Sequence, residues 1–383
     1  MRAVVFTDKA LSKHAGQFVW LSIDTEKAQN APFVHKYPIG AWPSLYVIDP
    51  RKETVLLRWV GGASVAQLEK IFADGRNAYG GSAGTAQGDL ARADRLYAEG
   101  RYPEAVPAYQ AALATLPPKD PRYARAAESL LFSLGATQRR EDCVALTLQD
   151  YPKLRGTTAG ADFAASGLDC ATGLPENAKG RSEAIARLEA ASRESLADRR
   201  IPLTADDRSG IYSALFDARK DAKDETGAAA VAKEWVADLD GRAARAKTAE
   251  QRTALDPDRL GAYEAAGQLE KAIPMLERSE REFPKDYNPP ARLALVYQKL
   301  GRWDQSLHAS DRALGLVYGP RRFRVLVVRA DVYKGMGDEA MERRTLEEAV
   351  SFAKSLPEGQ KAENQIAGLE KRLGSLESAS SQP

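Results

Sequence analysis

Four stretches of this 383-residue chain fall into register when each is aligned on a single glycine, and that internal repetition limits the possible folds more than any other feature. They are ADRLYAEGRYPEAVPAYQAALATLP from Ala93, LGAYEAAGQLEKAIPMLERSEREFP from Leu260, ALVYQKLGRWDQSLHASDRALGLVY from Ala294 and ADVYKGMGDEAMERRTLEEAVSFAK from Ala330. The aligned glycines are Gly100, Gly267, Gly301 and Gly337, and the last three lie 34 and 36 residues apart. This is the period of a helix-turn-helix unit that cannot bury its apolar side alone and must stack on its neighbours.

Each repeated residue has a mechanical reason. Ala93 and Ala105, like Ala294 and Ser306, are small where two antiparallel helices have to cross closely. Gly100 and Gly301 fit the left-handed position that ends a first helix. Tyr109 and Leu276 fill the space between helices, Ala112 and Ala313 admit the next unit, and Pro117 and Pro284 stop the second helix. The pattern resembles the tetratricopeptide repeat. That resemblance implies an all-α array over residues 89–373 whose first helices present a groove for an extended or helical peptide. Groove positions on this reading are Asp94, Tyr97, Gln298, Lys299, Arg324, Asp331 and Lys334, with ordinary solvated helix faces as the alternative. Their charges are mixed, so the lysine and asparagine cluster that grips acidic chain ends in the family is not reproduced. In the middle, LLFSLGATQRREDCVALTLQDYP and RSEAIARLEAASRES fit the pattern, whereas Leu154 to Leu174 and Ile201 to Asp256 read only as irregular helices. One continuous right-handed array with degenerate central repeats is expected, a break into two being the alternative.

Residues 1–78 have a different character, so the fold class expected for the whole chain is α/β plus all-α. FVWLSID (Phe18 to Asp24) reads as a buried strand, Ala28 to Lys36 as a helix, SLYVID (Ser44 to Asp49) and TVLLRWVG (Thr54 to Gly61) as a hairpin, and Ser64 to Asp74 as a helix capped by Ser64. With YPIGAWPSLYVID, this order resembles a thioredoxin-like domain, in which Tyr37, Ile39, Pro43 and the Val60-Gly61 pair occupy family positions. The resemblance implies a cis bond before Pro43 and a peptide-binding edge flanked by Trp42 and Ser44, although Trp42 also reads as a plain core or loop aromatic. Small residues over 79–88 read as a flexible linker, and residues 374–383 as a frayed tail.

The family's Cys-x-x-Cys pair, whose thiolate carries its chemistry, does not occur. MRAVVFTDKAL resembles the segment that follows such a pair, which leads to the expectation that Met1 is an internal methionine of a longer natural protein. The missing strand would lie between Phe18–Asp24 and Ser44–Asp49 and leave both without a shared partner. Cys143 and Cys170 are expected to be buried inert thiols, with a disulfide arising only in an exported protein.

Lys and Arg total 55 against 53 Asp and Glu, a net charge of +2 that gives no electrostatic footprint for nucleic acid. No apolar run approaches a membrane span. Two cysteines and three scattered histidines supply no metal-ligand spacing, and no phosphate loop, nucleophile elbow or dinucleotide fingerprint occurs. Glu347-Glu348 and Asp206-Asp207 read as solvated pairs. No catalytic residue, cofactor or metal is therefore expected.

The function expected is a protein-interaction scaffold, redox-silent in its front part and binding another protein or peptide. The alternative is a piece of a thiol-disulfide oxidoreductase whose cysteine pair is encoded upstream. A cytoplasmic location is expected for the chain as written, or an exported one if a signal peptide precedes it. The oligomeric state is left open.

Overall fold

The computed structural model describes residues 5–80, 85–361 and 363–380. In chain order its elements are α1 (Ala31–Lys36), β1 (Ser44–Asp49), β2 (Thr54–Val60), α2 (Val65–Gly80), α3 (Thr85–Ala98), α4 (Tyr102–Thr115), α5 (Tyr123–Ala136), α6 (Arg140–Leu154) and α7 (Thr158–Thr172). There follow α8 (Arg181–Ala197), α9 (Ala205–Asp221), α10 (Glu225–Arg245), α11 (Ala249–Thr253), α12 (Asp256–Ala265), α13 (Ala272–Glu282), α14 (Asn288–Lys299), α15 (Trp303–Leu314), α16 (Pro320–Met336), α17 (Glu339–Ser355) and α18 (Glu363–Ser380). Packing divides the chain into two units, Met1–Phe18 with Ile39–Arg245, and Val19–Pro38 with Ala246–Pro383.

In the first unit, β1 and β2 pair antiparallel with Ser44 opposite Val60 and Asp49 opposite Thr54. The hairpin forms at the two runs read as one from the sequence, and its bend is fixed by the Asp49 carboxylate, which accepts from the Arg51 amide at 2.8 Å. Ser64 caps α2 as expected: its amide donates to the Gln67 side chain at 2.8 Å, and its hydroxyl accepts from the Gln67 amide at 3.3 Å. Leu57, Trp59, Leu68, Ile71 and Phe72 close the small core between hairpin and helix. Gly75 sits against Val47 so closely that a Cβ there would lie 2.8 Å from a valine methyl.

Eight helices, α3 to α10, complete this unit as four successive antiparallel hairpins. The expected close crossings form, with Ala93, Ala105 and Tyr109 fully buried. The middle is more regular than its sequence suggests. Leu154 to Leu174 contains the continuous helix α7, and Ile201 to Asp256 contains α9 and α10. The turns show why the pattern was hidden: the left-handed residue is glycine at Gly100 and Gly180, but Gln138 (φ 58°) ends α5 and Lys223 (φ 57°) ends α9.

The second unit pairs α12 with α13, α14 with α15 and α16 with α17, and α18 packs on α17. Gly267, Gly301 and Gly337 all adopt positive φ, as the alignment requires. Ala294 and Ser306 are buried at their crossing, where the Ser306 hydroxyl donates to the Ala294 carbonyl at 2.6 Å.

Five expectations are corrected or redrawn. Phe18 to Asp24 is no strand. Val19 is 87% and Leu21 72% exposed, because no third strand among the described residues pairs with this segment and its backbone stays hydrated. Residues 1–78 are not one domain, since Val19–Pro38 packs with the C-terminal helices. The expected helix over Ala28 to Lys36 is a 3-10 turn, Ala28–Asn30, followed by α1. Within the expected linker, Gly80 closes α2 and Thr85 opens α3, residues 81–84 lying outside the described ones; α18 continues to Ser380 through the stretch expected to fray.

Candidate functional site

The peptide bond between Trp42 and Pro43 is cis, as the resemblance implies. The Pro43 carbonyl accepts from the Gly61 amide at 2.9 Å, the Ser44 hydroxyl donates to the Ala41 carbonyl at 2.7 Å, and Trp42 is 57% exposed. The described residues form only a two-stranded sheet, and no thiol stands near this loop.

Asp94 and Tyr97 lie beneath the hairpin and α2 rather than on an open groove. Asp94 accepts from both terminal nitrogens of Arg125, at 2.7 and 2.9 Å, and from the Tyr109 hydroxyl at 2.7 Å. Arg125 also donates to Asp74 of α2 at 2.9 Å, so one buried guanidinium joins α2, α3 and α5. The Tyr97 carbonyl accepts from Arg58 of β2 at 3.3 Å, and burial raises the Tyr97 phenol well above its ordinary value.

In the second unit the remaining groove positions spread out. Gln298 is half-buried, Lys299 is ion-paired with Glu264, Asp331 accepts from Arg372 of α18 at 2.6 Å, and Lys334 is exposed near the end of α16. Only Arg324, near the start of α16, adjoins a seated segment: partial burial and the neighbouring Arg321 charge lower its pKa, partly offset by Glu26.

That segment is Asp24–Lys27, held across the starts of first helices by side chains that the repeat pattern does not single out. The Glu26 carboxylate accepts from the Tyr287 hydroxyl at 2.5 Å and from Nε of Arg321 at 2.7 Å. Asp24 accepts from the Tyr318 hydroxyl at 2.5 Å, which raises that phenol to about 12. The Gln360 amide, on the loop before α18, donates to the main-chain carbonyls of Thr25 at 2.9 Å and Lys27 at 3.1 Å. Gly319 (φ 55°) opens the space, since a Cβ there would lie 2.0 Å from the Glu26 carbonyl oxygen. The turn is also braced internally: Asp24 Oδ1 accepts from the Glu26 amide at 3.0 Å, and Asn30 donates to the Asp24 carbonyl at 2.7 Å. Anion placement at the N-terminus of α16 agrees with the helix dipole.

Cys143 and Cys170 are bonded to each other, correcting the expectation of inert thiols; their Cα atoms are 6.2 Å apart. They meet because α6 and α7 run antiparallel in close contact, Thr147 one turn beyond Cys143 touching Gly167 one turn before Cys170. The sequence hid this because α7 was not legible as a regular helix. Beside the bond, a surface cleft of about 390 Å³ is lined by Arg140, Asp169, Asp217 and Asp221. Burial, then Asp217, pushes Asp169 up to about 6.

Asp207 is not solvated either: with Thr204 it forms the capping box of α9, accepting from the Thr204 amide at 2.7 Å, and burial raises its pKa. Glu128 of α5 and Asp162 of α7 share its field, and burial followed by mutual carboxylate repulsion holds both well above the carboxyl range. Among the described residues no three His, Cys, Asp or Glu side chains are placed to hold a metal, and no helix is long and apolar enough to cross a membrane.

No family model and no curated protein matches this chain. Similar solved structures include a tetratricopeptide repeat protein from Parabacteroides merdae, with 10% identity over 75% of this chain and 97% of that one and a TM-score of 0.45. A thermophilic TPR protein from Thermus thermophilus gives 16% identity, 76% and 98% coverage and 0.26. The assembly chaperone of RpL4 gives 17%, 78% and 100%, and 0.32. At these distances the likeness brings no partner or activity to this chain.

Proposed function

We propose that this protein is an interaction scaffold whose C-terminal helical hairpins take up a peptide segment of another protein, while its hairpin and α2 piece is redox-silent. The observation that carries the reading is the seated turn Asp24–Lys27, gripped through both its side chains and its main-chain carbonyls by Tyr287, Arg321 and Gln360. Main-chain recognition of this kind is how peptide-binding surfaces obtain affinity, and pockets for side chains add selectivity. The bonded pair Cys143 and Cys170 supports a place in an oxidising compartment, where such bonds persist.

The test is fluorescence anisotropy of the full chain with twelve-residue peptides of acidic, basic and neutral composition, up to millimolar concentration. Saturable binding of at least one class is expected, lost in the Arg321→Glu/Arg324→Glu variant with unchanged far-ultraviolet circular dichroism. No saturation with any class, or indifference to the double substitution, overturns the scaffold. In the same preparation, insulin reduction by dithiothreitol should proceed at the uncatalysed rate, and acceleration would sink the redox-silent part.

A further inference from the structure

The turn on the C-terminal unit is chemically selective. Both of its carboxylates are met by donors, Glu26 by Tyr287 and Arg321 and Asp24 by Tyr318, and the Glu26 side chain is only 17% exposed. Charge-assisted hydrogen bonds to a carboxylate are roughly twice as strong as neutral ones. An amide or hydroxyl in place of Glu26 would lose the charge and leave the Arg321 guanidinium unmatched. Spacing is specified as well: Gln360 holds the carbonyls on either side of Glu26, and the Glu26 main chain lies where a Cβ on residue 319 would otherwise stand.

We infer that this surface is a recognition site for an acidic turn with two carboxylates in Asp-x-Glu spacing, and that residues 24–27 occupy it as a built-in stand-in for a partner's turn. The inference rests on the scaffold reading and deepens it by naming the ligand chemistry. A partner engages by displacing the chain's own segment. The selecting residues are Tyr287, Tyr318, Arg321 and Gln360, with Gly319 providing the space.

The probe is a fluorescein-labelled peptide covering residues 20–32, paired with a control in which its Asp and Glu are changed to Asn and Gln. It is titrated into the full chain, into Asp24→Asn/Glu26→Gln, which loosens the resident turn, and into that variant with Arg321→Glu added. The acidic probe should bind the loosened variant at least ten-fold more tightly than the unaltered chain. Adding Arg321→Glu should cost at least ten-fold, and the amide control should bind at least ten-fold more weakly than the acidic probe. Hydrogen exchange provides a readout independent of variant folding: excess acidic probe should speed exchange in residues 19–38 of the unaltered chain, and the control should not. Equal binding of acidic and amide probes would keep a peptide-binding scaffold but overturn the acidic selectivity. Equal affinity of the loosened and unaltered chains would overturn the stand-in role. No binding of either probe to any form would overturn the inference, and failure of all peptide classes in the broader panel would remove the scaffold as well.

Discussion

Arg125→Met should detach the hairpin and α2 from the helices beneath them. Arg125 is 7% exposed and holds two carboxylates, Asp74 at 2.9 Å and Asp94 at 2.7 Å, with side-chain exposures of 11% and 8%. Removing one member of a buried ion cluster costs about 3 to 5 kcal/mol, because the charges left behind lose their counterion where water cannot replace it. Methionine keeps most of the volume, so cavity formation adds little. A loss of about 4 kcal/mol corresponds to a factor of about 10³ in an opening equilibrium. That increase is expected in amide exchange over β1, β2 and α2 at pH 7, with the α12 to α17 region unchanged. An increase below about ten-fold would show that apolar packing alone fixes the α2 interface and would refute the ion-cluster argument.

Two further outcomes follow from the first unit. Replacing Cys143 and Cys170 with serine should lower its stability in non-reducing urea titrations by about 3.5 kcal/mol, the loop-closure value for a 27-residue separation, and dithiothreitol should bring the unaltered chain close to the same midpoint; coincident midpoints without reductant would contradict the cross-link. Glu128→Gln should stabilise the protein by about 1 kcal/mol or more at pH 8 and little at pH 4.5, since an acid whose folded pKa is raised binds more protons when folded and loses stability as pH climbs from the ordinary carboxyl range toward 8; parallel stability curves for the two proteins would reject that.

The repeats were readable where glycine occupies the left-handed turn, at Gly100, Gly267, Gly301 and Gly337. They were unreadable where Gln138 and Lys223 adopt the same conformation at a conformational cost that tertiary packing offsets. The hairpin and the Ser64 cap are local structures, so local signals sufficed for them. Phe18 to Asp24 misled because an apolar run reports only that a strand could be buried, while pairing depends on a partner strand elsewhere. Cys143 meets Cys170 through a helix crossing, and Glu26 meets Tyr287 and Arg321 across more than 250 positions of chain; no periodicity records either contact. Of the groove positions read from the repeat, Arg324 alone lies by the seated turn, because the grip comes from residues at and just before the helix starts rather than from helix faces.

The acidic turn belongs to the same polypeptide as its seat, and that fixes how the seat can be contested. A tethered segment competes at an effective concentration on the order of millimolar, whatever the amount of protein in solution. A free copy of the same turn would thus half-occupy the site only near that concentration. A successful rival needs either contacts that residues 24–27 lack or several turns on one molecule, so the tether makes this seat a filter for multivalent or extended partners.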